Sequence, residues 1–156
     1  MPNLDYTRQT RRNFTSLLDR LSIEAANYIP AGFNNNIVWN YAHCIVTQQL
    51  LTYKLAKLEP SLPTPMIDAF RKGSRPEKVY TRAEIEDFKQ LAQSTLQQFE
   101  EDYSAGKFQA FTAYSTSYGI TLESLEQAIA FNNMHEALHL GYAMSLRRAV
   151  EAGEEA

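Results

Sequence analysis

Apolar residues along this chain recur mostly at intervals of three and four, the spacing of one face of an α-helix. Four segments carry the pattern. The first runs from Asn3 to Tyr28, with Phe14, Leu17, Leu18 and Leu21 on one face. Pro30 and Gly32 end it, and Asn34 to Asn36 offer caps for the next helix. The second spans Asn36 to Leu58. Trp39, His43, Val46, Leu50 and Tyr53 trace one stripe, and Ile45, Leu51, Leu55 and Leu58 widen it before Pro60 and Pro63 stop the helix. The third opens on Thr81 and Glu84, the capping-box pair, and continues through Ile85, Phe88, Leu91, Leu96 and Phe99 to Ser104. The fourth takes Thr121 as its N-cap, continues through Leu125, Ile129, Asn132, His135, Leu138, His139, Tyr142 and Leu146, and frays in the acidic C-terminal residues.

Between these segments, Ile67 to Lys78 reads as a loop or a short helix followed by a turn. Residues 106–120 are rich in aromatic side chains, Thr and Ser, which disfavour helix; alternation over Lys107 to Phe111 allows a short strand. Four helices of several turns predict an all-α protein, one four-helix bundle domain over residues 1–156. A short loop joins its first two helices, and longer crossings come after the second and third.

Composition narrows the class of partner. No apolar run approaches the roughly 18 residues of a membrane span, and the N-terminal stretch lacks the apolar core of a signal peptide, so a cytoplasmic location is expected. The net charge of −3, with no basic stripe, argues against nucleic acid and against an anionic membrane as partners. Cys44 is the sole cysteine, so no internal disulfide forms; in an apolar helix it is expected to be buried and inert.

The chemistry lies in the only three histidines, His43, His135 and His139. His135 and His139 are four apart, one turn along the same helix face, and both fall on the apolar stripe. His43 falls on the inward stripe of the second helix. A buried imidazole must satisfy a donor and an acceptor, and a shared metal satisfies one nitrogen on each ring. Zinc, nickel and iron accept such ligands, and three protein ligands leave a position open. Spacing alone also admits three separate core histidines, each with its own hydrogen-bond partner.

His135, Glu136 and His139 fit H-E-x-x-H, in which Glu136 would activate water as a general base. No further histidine lies downstream, and the chain is short for a protease cleft, so peptidase activity is disfavoured. Glu136 is a candidate catalytic residue, with a solvated side chain as the plainer reading. Asn40, Tyr41 and Asn132 are candidates for the mouth of the site. Asn36 and Asn40 are read more plainly as caps or surface groups, and Gln48 and Gln49 as solvated. Trp39 is placed to pack beside His43. Gly141, inside a helix at a cost of about 1 kcal/mol, signals close helix packing or else an exposed spare position.

Residues 34–51 and 132–148 together resemble the DinB-like, YfiT-like four-helix bundles that include DNA-damage-inducible and bacillithiol-transferase-related proteins. His43 matches the family's histidine in the second helix; His135, His139 and Gly141 match its late H-x-x-x-H pair and following glycine. The resemblance implies an up-up-down-down bundle with a long central crossover, a homodimer, and a divalent metal (zinc, nickel or iron) on the three histidines. It implies a small-molecule substrate, such as a low-molecular-weight thiol, and a transferase or hydrolase in which the metal activates a thiol or water. Two alternatives stay open. One is a non-catalytic bundle that binds a metal or small ligand, with residues 108–118 as a lid or subunit contact. The other is a closed structural metal site, which needs a fourth protein ligand; Cys44 and Glu136 face elsewhere. Arg147 and Arg148 suit the C-terminal end of a helix dipole, or would attract an anionic cosubstrate.

Overall fold

The computed structural model describes residues 3–154. Its long helices are α1 (Asp5–Asp19), α3 (Ile37–Gln49), α5 (Arg82–Ser104) and α6 (Leu125–Glu154), joined by the short helices α2 (Ile23–Asn27) and α4 (Thr64–Phe70). The first expected helix is in fact two. Ser22 takes extended backbone and its hydroxyl accepts the Ala25 N–H at 3.1 Å, which starts α2 and ends the run from α1. Asn27 then ties α2 to the entry of α5, donating to the Tyr80 carbonyl and accepting from the Tyr80 N–H.

Asn36 caps α3 by accepting the Trp39 N–H at 2.8 Å. α3 is buried on nearly every side, the polar Asn40, His43, Gln48 and Gln49 included, and packs against α1, α4, α5 and α6. It continues as one π-helical turn, Leu50–Lys54. The chain leaves through Lys57 at φ 60°, with the Leu58 N–H on the Tyr53 carbonyl and the Lys57 N–H on the Lys54 carbonyl, the bonding of a Schellman stop. At α5 the expected capping box is present: Thr81 Oγ1 accepts the Glu84 N–H, and Glu84 Oε2 accepts the Thr81 N–H.

Two expectations for the crossover are corrected. Residues 107–111 form no strand; the strands are β1 (Tyr114–Ser115) and β2 (Thr121–Leu122), paired antiparallel around a turn with Gly119 at φ 88°. Thr121 therefore lies in β2, its hydroxyl 3.0 Å from that of Ser115, and Ser124 caps α6 by accepting the Gln127 N–H.

The main core joins Phe14 and Leu17 of α1 to Ile37, Tyr41 and Ile45 of α3, Phe88 of α5 and Leu146 of α6. A second cluster holds Leu96, Phe99, Leu125 and Ile129. Gln48 and Gln49 are buried rather than solvated: Gln48 donates to Thr52, and Gln49 Oε1 accepts from the backbone and hydroxyl of Ser61. Gly141 is exposed, and a Cβ there would meet nothing within 4 Å, so close packing does not explain it. Among the described residues no helix is long and apolar enough to cross a membrane.

Candidate metal centre

α3 supplies His43 and α6 supplies His135 and His139, and the packing of these two helices brings the three rings together. Each offers a ligand nitrogen within 4.8 Å of the others, and the Nε2 atoms of His43 and His135 are 3.3 Å apart. Nitrogens at 2.0–2.1 Å from a tetrahedral zinc ion are separated by about 3.3–3.4 Å, so this pair already spans one edge of such a site. Among the described residues no fourth His, Cys, Asp or Glu joins the group.

Outer contacts determine which nitrogen each ring presents. His43 Nδ1 donates to the Phe70 carbonyl at 2.6 Å; a carbonyl only accepts, so Nε2 keeps its lone pair. His139 Nδ1 lies 2.7 Å from Asn40 Oδ1. Asn40 is fully buried and its Nδ2 donates to the Asn36 carbonyl and to Asn35 Oδ1, so its oxygen faces the ring and the His139 Nε2 is left free. Asn40 is thus neither a cap nor a surface group but the support of a candidate ligand. His135 Nδ1 is buried with no partner. Trp39 stacks on His43 with centroids 4.6 Å apart and planes 10° apart, and its indole N–H donates to Ser74.

Burial pushes the His135 pKa down to about 3, helped by the neighbouring imidazoles, and that of His139 down to about 4. Burial lowers that of His43 as well. All three rings are therefore neutral at pH 7, the form that ligates metal, and an all-imidazole set suits zinc, nickel or iron.

The rings open onto a cavity of about 390 Å³ walled by Trp39, Leu50, Leu51 and Phe131. Tyr114, Thr116 and Ser117, from the aromatic crossover, close one side, and Lys72 and Gly73 lie at another. Thr47 Oγ1 is 3.3 Å from His43 Nε2.

Three sequence candidates lie elsewhere. Glu136 is not solvated: it is fully buried, and its carboxylate forms a two-point ion pair with Arg11, at 2.8 and 3.1 Å. Asn132 donates to the same carboxylate. Burial alone would lower the Arg11 pKa, but the Glu136 charge and hydrogen bond outweigh it and the net shift is upward. Tyr41 bonds the Thr15 hydroxyl and sits, with Arg11, at a separate cavity between α1 and α5; burial raises its pKa to about 12. None of the three lines the histidine cavity, so the mouth assignments of Tyr41 and Asn132 are corrected, and the carboxylate of Glu136 is engaged by Arg11 and Asn132. Cys44 is buried, as expected, with its pKa raised well above the usual thiol value, chiefly by burial.

A sequence model of the DinB superfamily matches residues 6–143, a span that contains all three histidines. No curated protein matches the chain.

Proposed function

Because this chain belongs to the DinB superfamily, we propose that its three histidines hold a divalent metal ion and that the protein is a small-molecule transferase acting on a thiol. One observation carries the reading: the His43 and His135 Nε2 atoms lie one tetrahedral edge apart, and separate hydrogen bonds turn the proton-bearing nitrogens of His43 and His139 outward. A bound ion would supply Lewis acidity, allowing a thiol or water to lose its proton near neutral pH.

The chain's own residues perform the remaining tasks. Asn40 and the Phe70 carbonyl hold two rings in one tautomer. Trp39 and Phe131 exclude water from the ring faces. Tyr114, Thr116 and Ser117 narrow the entrance. No carboxylate lines the cavity among the described residues, so attacking water would have no carboxylate there to take its proton. This favours thiol transfer over hydrolysis, since a thiol needs less help to ionise. The same absence supports the second reading, a bundle that binds a metal and a small ligand without turnover.

The test is a thiol-transfer assay with cysteine and monochlorobimane, in which a C–S bond forms, a C–Cl bond breaks, and a proton and chloride leave. Zinc- or nickel-loaded protein is expected to accelerate the reaction, and stripped protein and His135→Ala to lack that acceleration. Equal rates in loaded and stripped protein across several thiols would leave the binding-module reading. We also assign a second copy of the chain to the exposed Leu138 and Tyr142, which lie one turn apart on α6.

A further inference from the structure

The histidine cavity does not end at its own walls. A second cavity of about 400 Å³ shares Leu50, Leu51, Lys72 and Tyr114 with it, and adds Leu55, Lys54 and Arg71. The two adjoin along these shared walls, giving one continuous lining from the histidines to Lys54. From His43, one helix face presents Thr47, then Leu50 and Leu51, then Lys54, about 16 Å away along the axis. The channel thus runs from imidazoles, past apolar and aromatic walls, to cations.

Three cations sit at this rim. The chain carries a net charge of −3. Yet Lys54, Arg71 and Lys72 gather here, and no carboxylate lines either cavity among the described residues. Lys54 and Lys72 take part in no ion pair among the described residues, and Arg71 has only an exposed contact with Asp68 at 3.3 Å. Lys54 and Arg71 also border a neighbouring cavity that holds Glu59 and Asp68, but the apolar channel itself meets only the cations, which complements an anion with an apolar stem.

We infer that the site takes an amphiphilic organic anion: its reacting end at the histidines, its apolar stem along Leu50, Leu51 and Tyr114, and its negative end at Lys54, Arg71 and Lys72. The reacting end rests on the proposed reading of the histidines; the polarity of the channel does not. A stem that reaches from the rim to the histidines belongs to a soluble small molecule rather than to a bilayer surface.

Trp39 is the only tryptophan and lines the cavity, so its fluorescence reports occupancy directly. The probe is octane-1-sulfonate, because a sulfonate is a poor metal ligand and its charge reads the cations. Titrated into the full chain, it is expected to saturate the Trp39 signal, with octan-1-ol and octyltrimethylammonium binding at least about tenfold more weakly. Lys54→Ala/Lys72→Ala is expected to weaken sulfonate binding about fivefold, the scale of two exposed charge contacts, and Lys54→Arg/Lys72→Arg to restore it. Octanol binding as tightly as the sulfonate, or a double alanine variant that binds normally, would overturn the inference. So would sedimentation with phosphatidylglycerol vesicles without saturable binding of the sulfonate. Metal content measured on the same samples separates the two claims. Metal without anion preference overturns this inference alone, and anion preference without metal overturns the reading of the histidines alone.

Discussion

At the scale of single residues, two buried polar side chains that look alike in the sequence do different work. Asn40 is held by two donors of its own and spends its oxygen on His139. Asn40→Leu should therefore leave the fold standing but weaken metal binding about 10- to 100-fold, the usual cost of losing a ligand's outer partner; competition with a chromophoric chelator measures it. Glu136, between the two candidate ligands of α6, points away from them and neutralises Arg11 inside the bundle. Glu136→Gln should destabilise the protein by about 3–5 kcal/mol in urea unfolding, because it leaves Arg11 charged and unpaired, while metal stoichiometry stays that of the parent. A variant of normal stability that had lost only turnover would instead restore Glu136 as a catalytic group. Periodicity put His43, His135 and His139 on inward faces, and the packing of α3 and α6 brings the three rings together. It could not place Asn40 or Glu136, because a polar residue on an apolar helix carries no signal for which neighbour it will meet. The Phe70 carbonyl had no signal at all, being backbone.

At the scale of elements, legibility followed local chemistry. The capping box of α5 and the Asn36 cap of α3 rest on contacts within a few residues, and both were readable. The break at Ser22 was not, because the apolar period runs on across it, nor was the shift of the α6 start from Thr121 to Ser124, where two capping residues competed and the pairing of β1 with β2 decides between them. The α5 box also has a pH signature. A hydrogen bond from Lys78, then one from the Thr81 backbone, lowers the Glu84 pKa from 4.5 to about 2. A lowered carboxylate pKa means that the unfolded chain binds the proton more readily. The stabilisation is therefore present above pH 4.5 and lost as pH falls towards 2. Thermal unfolding of Glu84→Gln, which keeps the cap but not the charge, should show a shallower fall in Tm over that range than the parent. Parallel curves would mean the charge contributes nothing.

At the scale of the whole molecule, four long helices and one extended crossover make a bundle whose site lies where α3 and α6 cross and the crossover folds over it. The sequence marked that crossover as non-helical and left it open between a lid and a subunit contact; Tyr114, Thr116 and Ser117 of that segment line the cavity, brought there by the β1–β2 turn. The exposed Leu138 and Tyr142 predict that the protein runs at twice the chain mass in light scattering, and that Leu138→Asp/Tyr142→Asp runs as a monomer with its metal retained. All of this depends on the three histidines acting as one site. The most direct test is elemental analysis of untagged protein purified without chelator, beside His43→Ala, His135→Ala and His139→Ala. The account predicts close to one divalent ion per chain in the parent and loss of most of it in each variant. A parent that holds no metal, even after reconstitution with zinc, nickel and iron, would contradict it and leave three neutral core histidines at the head of a small-molecule channel.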